Sequence, residues 1–405
     1  MRLLTFTTLF PNGQRPSHGI FVETRLRHLL ASGAATARVV APVPIVADLP
    51  VVPAEMRQLG RVPASEVRFG IPVTHPRYVA IPKVGMTLAP LLLYLGARAA
   101  VARLAATESC DVIDAHYFYP DGVAAALLAR DLGKPLVITA RGTDINLIPR
   151  HRLPRAMILW AARQAAGIVA VCAALKDEMV RLGVPADKVR VLRNGVDLAL
   201  FHPVDKRAAR AELGLDGRVL VSIGHLIERK AHDLVIRALP LLPATTLVIA
   251  GDGPLRGALG TLAASLGVAQ RVRFLGSVAQ RDLAALYSAA DILVLASSRE
   301  GWANVLLEAM ACGTPVVASN VWGTPEVVAA PAAGELMADR TPEAIAQSVE
   351  RLLARLPSSA EVRAYAERFS WDDTTRGQLE LFDDVMRAAR GPRARAAPLA
   401  APAHE

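Results

Sequence analysis

Two carboxylates and the glycine between them set the chemistry to be explained. In the run REGWANVLLEAM, Glu300 ends an apolar segment and a short loop, Gly301 follows it, and Glu308 lies eight positions on in a stretch of helical character. The preceding DILVLA reads as a strand buried on both faces, so residues 300–303 would form the loop at its carboxyl end and a helix would open near Asn304. The first amides of such a helix are unpaired and, with its dipole, make an anion site that Gly301 lets a ligand approach closely. A carboxylate in the loop and another about one turn into the helix would then reach hydroxyl-rich groups on either side, which suits polyols flanking a diphosphate. The spacing alone equally suits a surface loop glutamate followed by an exposed helical one. A second loop, Gly323-Thr324-Pro325-Glu326, opens another helix after the next apolar strand, and two such loops at neighbouring strand ends favour one shared pocket.

The elements that must position these groups follow a repeated grammar. Short apolar runs at 2–8, 37–41, 111–116, 135–140 and 167–172 read as strands, with helical patterns at 122–131 and 154–166 between them. The pattern restarts with strands at 218–224, 245–251, 272–275, 291–296, 315–318 and 335–337. Helices alternate with them near 230–239, 255–266, 280–289, 304–312 and 342–353. The class is α/β, and two doubly wound units are its simplest architecture. Asn194-Gly195 is a turn signal and Pro203 precedes the next helix, so the units divide as 1–200 and 201–369. The Ala/Pro/Arg-rich end, 390–405, reads as a disordered tail.

Composition bounds the rest. A chain of 405 residues, 52% hydrophobic and 20% charged, is globular and long enough for two domains. Its net charge of +9 suits nucleic acid, an anionic membrane or phosphorylated substrates, but no RNP sequence, zinc finger or basic-region heptad accompanies it, so nucleic acid is not an expected partner. Cys110, Cys172 and Cys312 follow no metal-ligand spacing and read as core thiols of a reduced compartment. The N-terminal MRLLTFTTLF lacks the regions of a signal peptide and reads as a buried strand. The apolar stretch 86–106 is broken by Pro90 and carries Arg98 and Arg103, which points to a partly buried helix and not a spanning one. Basic and apolar residues mix in PRHRLPRAMILWAARQ, 149–164; this suits peripheral contact with anionic lipid or, equally, a solvated helix with one buried face.

The run SREGWANVLLEAMACGTPVVAS followed by WGTPEVV resembles the donor-site signature of family 4 retaining glycosyltransferases, which have the GT-B fold, including sugar transferases of exopolysaccharide and teichuronic-acid type. Glu300 and Glu308 match its E-x7-E motif. LRNGVDLALFHP, SIGHLIERKAHDLVIRAL, LVIAGDGPLR, FPNGQRPSHGIFV, DAHYFYPDG and TARGTDI extend the resemblance over nearly the whole chain. It implies two Rossmann-like domains facing a central cleft, the first binding the acceptor and the second the nucleotide-sugar donor, with a last helix, 370–389, returning to the first.

By the same resemblance Glu300 would contact the donor sugar, beside the amides of Gly301, Trp302 and Ala303. Asn304 and Val305 would lie against the diphosphate, Glu308 on the ribose, and Ser277 and Val278 along the base. Lys230 would neutralise the leaving diphosphate, and Gly19 would border the loop near the reacting carbon. His225 stands where relatives usually carry arginine, so either it or Arg229 would supply that contact. His116 is the N-terminal candidate for catalysis, with a structural histidine as the alternative. Arg141 replaces a histidine common in relatives and cannot act as a base at neutral pH, so it would position an anion or hydroxyl on the acceptor side with Asp144.

No DxD triad stands at a strand end, which implies catalysis without a metal or other cofactor. The implied function is transfer of a sugar from a nucleotide-diphosphate sugar to a saccharide or lipid-linked acceptor in bacterial surface-glycan synthesis, in the cytoplasm or at the inner face of the plasma membrane. A sugar-nucleotide epimerase of the same fold, or a nucleotide-sugar binding protein without turnover, are the rival readings.

Overall fold

Runs such as VIDAH, LVITA and GIVA are buried at every position, which is how a parallel strand covered on both faces is built. The computed structural model describes residues 1–45, 57–81 and 86–390; the tail expected beyond them lies outside the described residues. In chain order its first strands are β1 (Arg2–Phe6), β2 (Thr36–Val40), β3 (Val43–Ile45), β4 (Ser65–Arg68), β5 (Ile71–Thr74), β6 (Arg77–Val79), β7 (Val112–His116), β8 (Leu136–Ala140), β9 (Gly167–Ala170) and β10 (Val189–Val191). The remainder are β11 (Arg218–Ile223), β12 (Thr245–Ala250), β13 (Val272–Gly276), β14 (Ile292–Leu295), β15 (Val316–Ser319) and β16 (Gly334–Met337).

These make an eight-stranded sheet of order β10-β9-β8-β7-β1-β2-β5-β4, a six-stranded sheet of order β13-β12-β11-β14-β15-β16, and a small β3-β6 pair. All ladders are parallel except β4 with β5. In each large sheet the winding reverses once, between β1 and β7 and between β11 and β14. A crevice opens beyond the strand ends at such a switch point. Thr8 and His116 mark the first crevice, and the residues after Ile223 and Leu295 mark the second.

Two expectations are corrected. The sequence reading passed over the β4–β5 hairpin, whose tight turn places Phe69 and Gly70 at φ 49° and 79°. Pro90 does not break the apolar stretch: it sits in the first turn of one continuous helix, Ala89–Thr107, where its missing N–H costs nothing.

The helix Trp371–Ala389 packs on the first sheet. Leu381, Phe382 and Val385 share a core with Val112, Val137 and Val169 and with Val22 and Leu26 of the helix Ile20–Ala31. Gly167 makes room for it, since a Cβ there would lie 2.8 Å from Leu381 Cδ1. At the start of the helix the Trp371 ring stacks on His28, with centroids 5.3 Å apart.

Candidate functional site

β11 runs apolar to Ile223 and stops at Gly224, held at φ 147°. The chain then makes a short turn, Glu228–Lys230, and enters the helix His232–Ala238, so Lys230 sits in the turn just before that helix. A Cβ on Gly224 would lie 3.2 Å from Lys230 Cε, so the glycine lets the lysine stem lie along the backbone. Lys230 Nζ donates to Glu300 Oε1 at 2.7 Å. Arg229 Nη1 reaches the same oxygen at 3.3 Å and the Arg299 carbonyl at 3.0 Å. Glu300 is only 8% exposed. Burial would raise its pKa, but Lys230 and Arg229 outweigh that and hold the carboxyl below its ordinary value. His225 is exposed, and Arg229 reaches the carboxylate.

Past β14 the chain turns through Gly301 to the helix Asn304–Ala311, whose first turn has no side-chain cap. Trp302 is buried against Phe369, with ring centroids 6.1 Å apart, so it offers the site its backbone and not its ring. Ala303 is buried and Val305 half-buried in the same cluster. Glu308 Oε2 accepts from Tyr287 Oη at 2.8 Å, and burial pushes its pKa up to about 7. Glu308 and Asn304 line a narrow cleft with Gln280 and, from the first unit, Phe21 and Thr24. Ser277 is exposed and Val278 half-buried in the segment after β13. Gly19 starts the helix Ile20–Ala31 at φ 69°, where a Cβ would lie 2.3 Å from the Leu9 carbonyl oxygen.

The two units meet backbone to backbone at this point. A Cβ on Gly301 would lie 2.1 Å from the Arg141 oxygen, and one on Gly142 would lie 3.0 Å from Gly301 Cα. Beside that contact Asn194 Nδ2 donates to Asn304 Oδ1 at 3.2 Å. Glu326 of the second loop accepts from the Ala174 amide at 3.1 Å and from Arg193 Nη2 at 2.6 Å.

His116 and Asp144 are corrected. His116 is 1% exposed, with Nε2 3.1 Å from Asp114 Oδ2 and Nδ1 2.7 Å from Arg141 Nη2. Both ring nitrogens are therefore occupied: Arg141 is a donor only, so the ring accepts at Nδ1, donates at Nε2 and is neutral. Burial lowers its pKa, and Arg141 adds to that against the pull of Asp114. It supports the site and has no free atom for proton transfer. Asp144 is fully buried and accepts from the amides of Gly142 at 2.7 Å and Phe118 at 2.8 Å, so it shapes the loop carrying Arg141 instead of facing an acceptor. Arg141 itself bridges His116 to Asn194 Oδ1 at 3.3 Å and lies over the Phe21 ring, and burial lowers its pKa to about 9.

Sequence reasoning missed three supports. Asp121 accepts from the Thr8 amide at 2.6 Å and from the Thr7 hydroxyl at 3.1 Å, tying the crevice loops after β1 and β7. Arg25, 1% exposed, donates to Gln378 Oε1 at 3.0 Å and reaches Asn194 Oδ1 at 3.5 Å. The signal for Asn194 lies in the Asn-Gly pair, which in sequence marks a turn and gives no sign of the side chain's partners. Among the described residues no group of three or more His, Cys, Asp or Glu could hold a metal.

Two facing Rossmann-like units, with a cation–carboxylate pair and an open helix start at a switch point, define the GT-B class of α/β proteins. Residues 205–369 match the family model described as Glycosyl transferases group 1, and residues 56–200 match Glycosyltransferase Family 4; the chain belongs to this glycosyltransferase family. A D-inositol 3-phosphate glycosyltransferase of Mycobacterium leprae is 40% identical over 210 residues, covering 48% of this chain and 49% of that protein. The chain thus spans about half the length of the curated relatives it matches. Sucrose-phosphate synthase of Thermosynechococcus elongatus superposes with a TM-score of 0.78 over 96% of this chain and 99% of that one, at 20% identity. Anabaena Alr3699/HepE in complex with UDP gives 0.72 over 95% and 100%, at 23% identity. At these identities the likeness is one of fold.

Proposed function

We propose that the chain transfers a sugar, with retention of anomeric configuration and without a metal or other cofactor, from a nucleotide-diphosphate sugar to a hydroxyl of a saccharide or lipid-linked acceptor in bacterial surface-glycan synthesis. The observation that carries this reading is the Lys230–Glu300 pair at 2.7 Å, at the switch point and beside the uncapped start of the helix Asn304–Ala311. A bound diphosphate would take Lys230, Arg229 and the helix amides, leaving Glu300 to accept from the sugar hydroxyls and Glu308 from the ribose. The acceptor hydroxyl attacks the anomeric carbon on the face the diphosphate leaves. The bond from that carbon to the diphosphate oxygen breaks, and a phosphate oxygen takes the acceptor's proton. Lys230 and the amides stabilise the leaving charge.

The relative solved with UDP makes a uridine nucleotide the first donor to test. The three cysteines are buried and unpaired, in keeping with a cytoplasmic setting. Peripheral contact with an anionic bilayer is the reading of the 149–164 stretch, and of the helix Ala89–Thr107, where exposed Leu91 and Leu95 stand on an element with two arginines and no acid. Flotation with anionic and neutral liposomes checks it; equal recovery in the soluble fraction from both overturns it.

The donor reading is tested by thermal shift and donor hydrolysis over UDP-, GDP-, ADP- and dTDP-sugars in EDTA, comparing wild type with Glu308→Gln. A nucleotide-selective shift that survives chelation and weakens in the variant is expected. Binding that needs metal or ignores Glu308 overturns the assignment.

A further inference from the structure

Asn194 lies where the chain leaves the first sheet, and its side chain is buried. Around it the two chain crossings between the units are tied together. The Val196 amide donates to the Phe369 oxygen at 2.9 Å, Thr374 Oγ1 donates to the Arg193 oxygen, and a Cβ on Gly195 would lie 2.5 Å from the Trp371 nitrogen. Asn194 therefore stands in a joint whose place both crossings fix.

Its side chain has three partners, and their chemistry gives the arrangement a direction. Arg141 Nη1 donates to Asn194 Oδ1 at 3.3 Å and Arg25 Nη1 at 3.5 Å, while Asn194 Nδ2 donates to Asn304 Oδ1 at 3.2 Å. A guanidinium has donors and no acceptor, so only the Asn194 oxygen can face it. Turning the amide over would set its NH2 against two cations and forfeit both bonds. The arginines are held in their turn. Arg25 donates to Gln378 Oε1 at 3.0 Å and to the Leu192 oxygen at 3.2 Å, and Arg141 donates to His116 Nδ1 at 2.7 Å.

With its oxygen so fixed, Asn194 must meet Asn304 with its NH2, and Asn304 must answer with its own oxygen. The N–H donors of Asn304 are what remains. Asn304 is half-buried, opens the uncapped helix Asn304–Ala311 and lines the cleft with Glu308. Among the described residues nothing accepts from its Nδ2.

We infer that Asn194 is a positioning residue for the donor: two buried arginines of the first unit set its amide, and through it they turn the Asn304 NH2 toward the diphosphate. The inference rests on the donor reading above and adds to it the group that gives Asn304 its polarity. An Asn304 free to turn would present its oxygen as readily as its NH2, and a carbonyl oxygen facing phosphate oxygens repels where an N–H would bond.

Asn194→Asp separates the two ends of this relay. A carboxylate still accepts from both arginines but cannot donate, so Asn304 should turn its NH2 to the new carboxylate and its oxygen to the cleft. The new charge would also repel a diphosphate by itself, and an Asn304→Ala background measures that effect alone. Calorimetry on the full chain compares wild type, the two single variants and the double variant. The probes are whichever of UDP, GDP, ADP and dTDP wild type binds best, and the matching nucleoside. Asn194→Asp should weaken the diphosphate on the order of tenfold or more with Asn304 present, and much less in the Asn304→Ala background. Nucleoside affinity should stay at the wild-type value, which a loss of folding would not spare. Equal losses in the two backgrounds, an equal loss for the nucleoside, or no loss in the single variant overturns the inference. Failure of wild type to bind any of the four diphosphates overturns the donor reading instead.

Discussion

Gly301 lies against Arg141 so closely that a Cβ on it would stand 2.1 Å from the arginine's carbonyl oxygen. The loop that carries Glu300 is thereby fixed on the opposite unit by backbone contact. Gly301→Ala should push the units apart at this point. A displacement of about 1 Å at a reacting centre can cost on the order of 10²-fold in rate. Turnover is expected to fall by about that factor while UDP affinity, measured by calorimetry, falls far less.

Glu300 is buried beside Lys230, so removing the lysine leaves a carboxylate with Arg229 alone for a counter-ion. Lys230→Ala should destabilise by about 1–3 kcal/mol and lower turnover by on the order of 10²-fold or more. The double variant Lys230→Met with Glu300→Gln removes both charges. Chemical denaturation should show stability largely restored, and assays no recovery of turnover, which separates the ion pair's structural role from its catalytic one.

Burial raises Glu308 from 4.5 to about 7, so the folded protein binds this proton more tightly than the unfolded chain. The native state is therefore favoured while the group is protonated, and that advantage is lost as pH rises from about 4.5 through 7, by up to about 3 kcal/mol. Glu308→Gln should remove this slope: relative to wild type, its Tm should rise more at pH 8 than at pH 5. Nucleotide affinity of wild type should move the other way, weakening below pH 7 as the ribose loses its carboxylate.

His116 is neutral and held between Asp114 and Arg141. Its lowered pKa means that unfolding takes up a proton below the ordinary histidine value near 6.5, so its contribution to stability is lost as pH falls below that point. His116→Ala and Asp114→Asn should each cost about 2–4 kcal/mol. The pH profile of kcat/KM in the folded fraction should keep its wild-type shape. A limb below 6.5 that vanishes in His116→Ala would restore the histidine to catalysis.

Which parts were legible follows from where the information lies in the chain. Glu300, Gly301, Asn304 and Glu308 share one strand–loop–helix run, so their spacing put them at one strand end, while the resemblance and not the spacing chose a site over an exposed surface; parallel strands such as β8 announce themselves by an uninterrupted apolar run. β4 and β5 did not, because SEVR and IPVT are short, β4 is the partly exposed edge strand and β5 alternates buried with half-buried positions, and neither has the apolar run that marks an interior strand. The supports were hidden for another reason. Asp121 meets Thr7 across 114 positions and Arg25 meets Gln378 across 353, distances that only sheet order closes. His116 misled because a histidine at a strand end looks the same in sequence whether its nitrogens are free or taken.

The last helix lies in the first unit's core, with Leu381, Phe382 and Val385 packed on Val137 and Val169. Both ends of the described chain therefore belong to one unit, and the six-stranded unit is threaded between them. On the ribosome the six-stranded unit can close as soon as β16 and its following helices emerge. The unit begun first must wait, with Val112, Val137 and Val169 uncovered, until residues 371–389 arrive. The order of synthesis and the order of completion are thus reversed, and a chain stopped near residue 369 would carry a finished second half on an unfinished first.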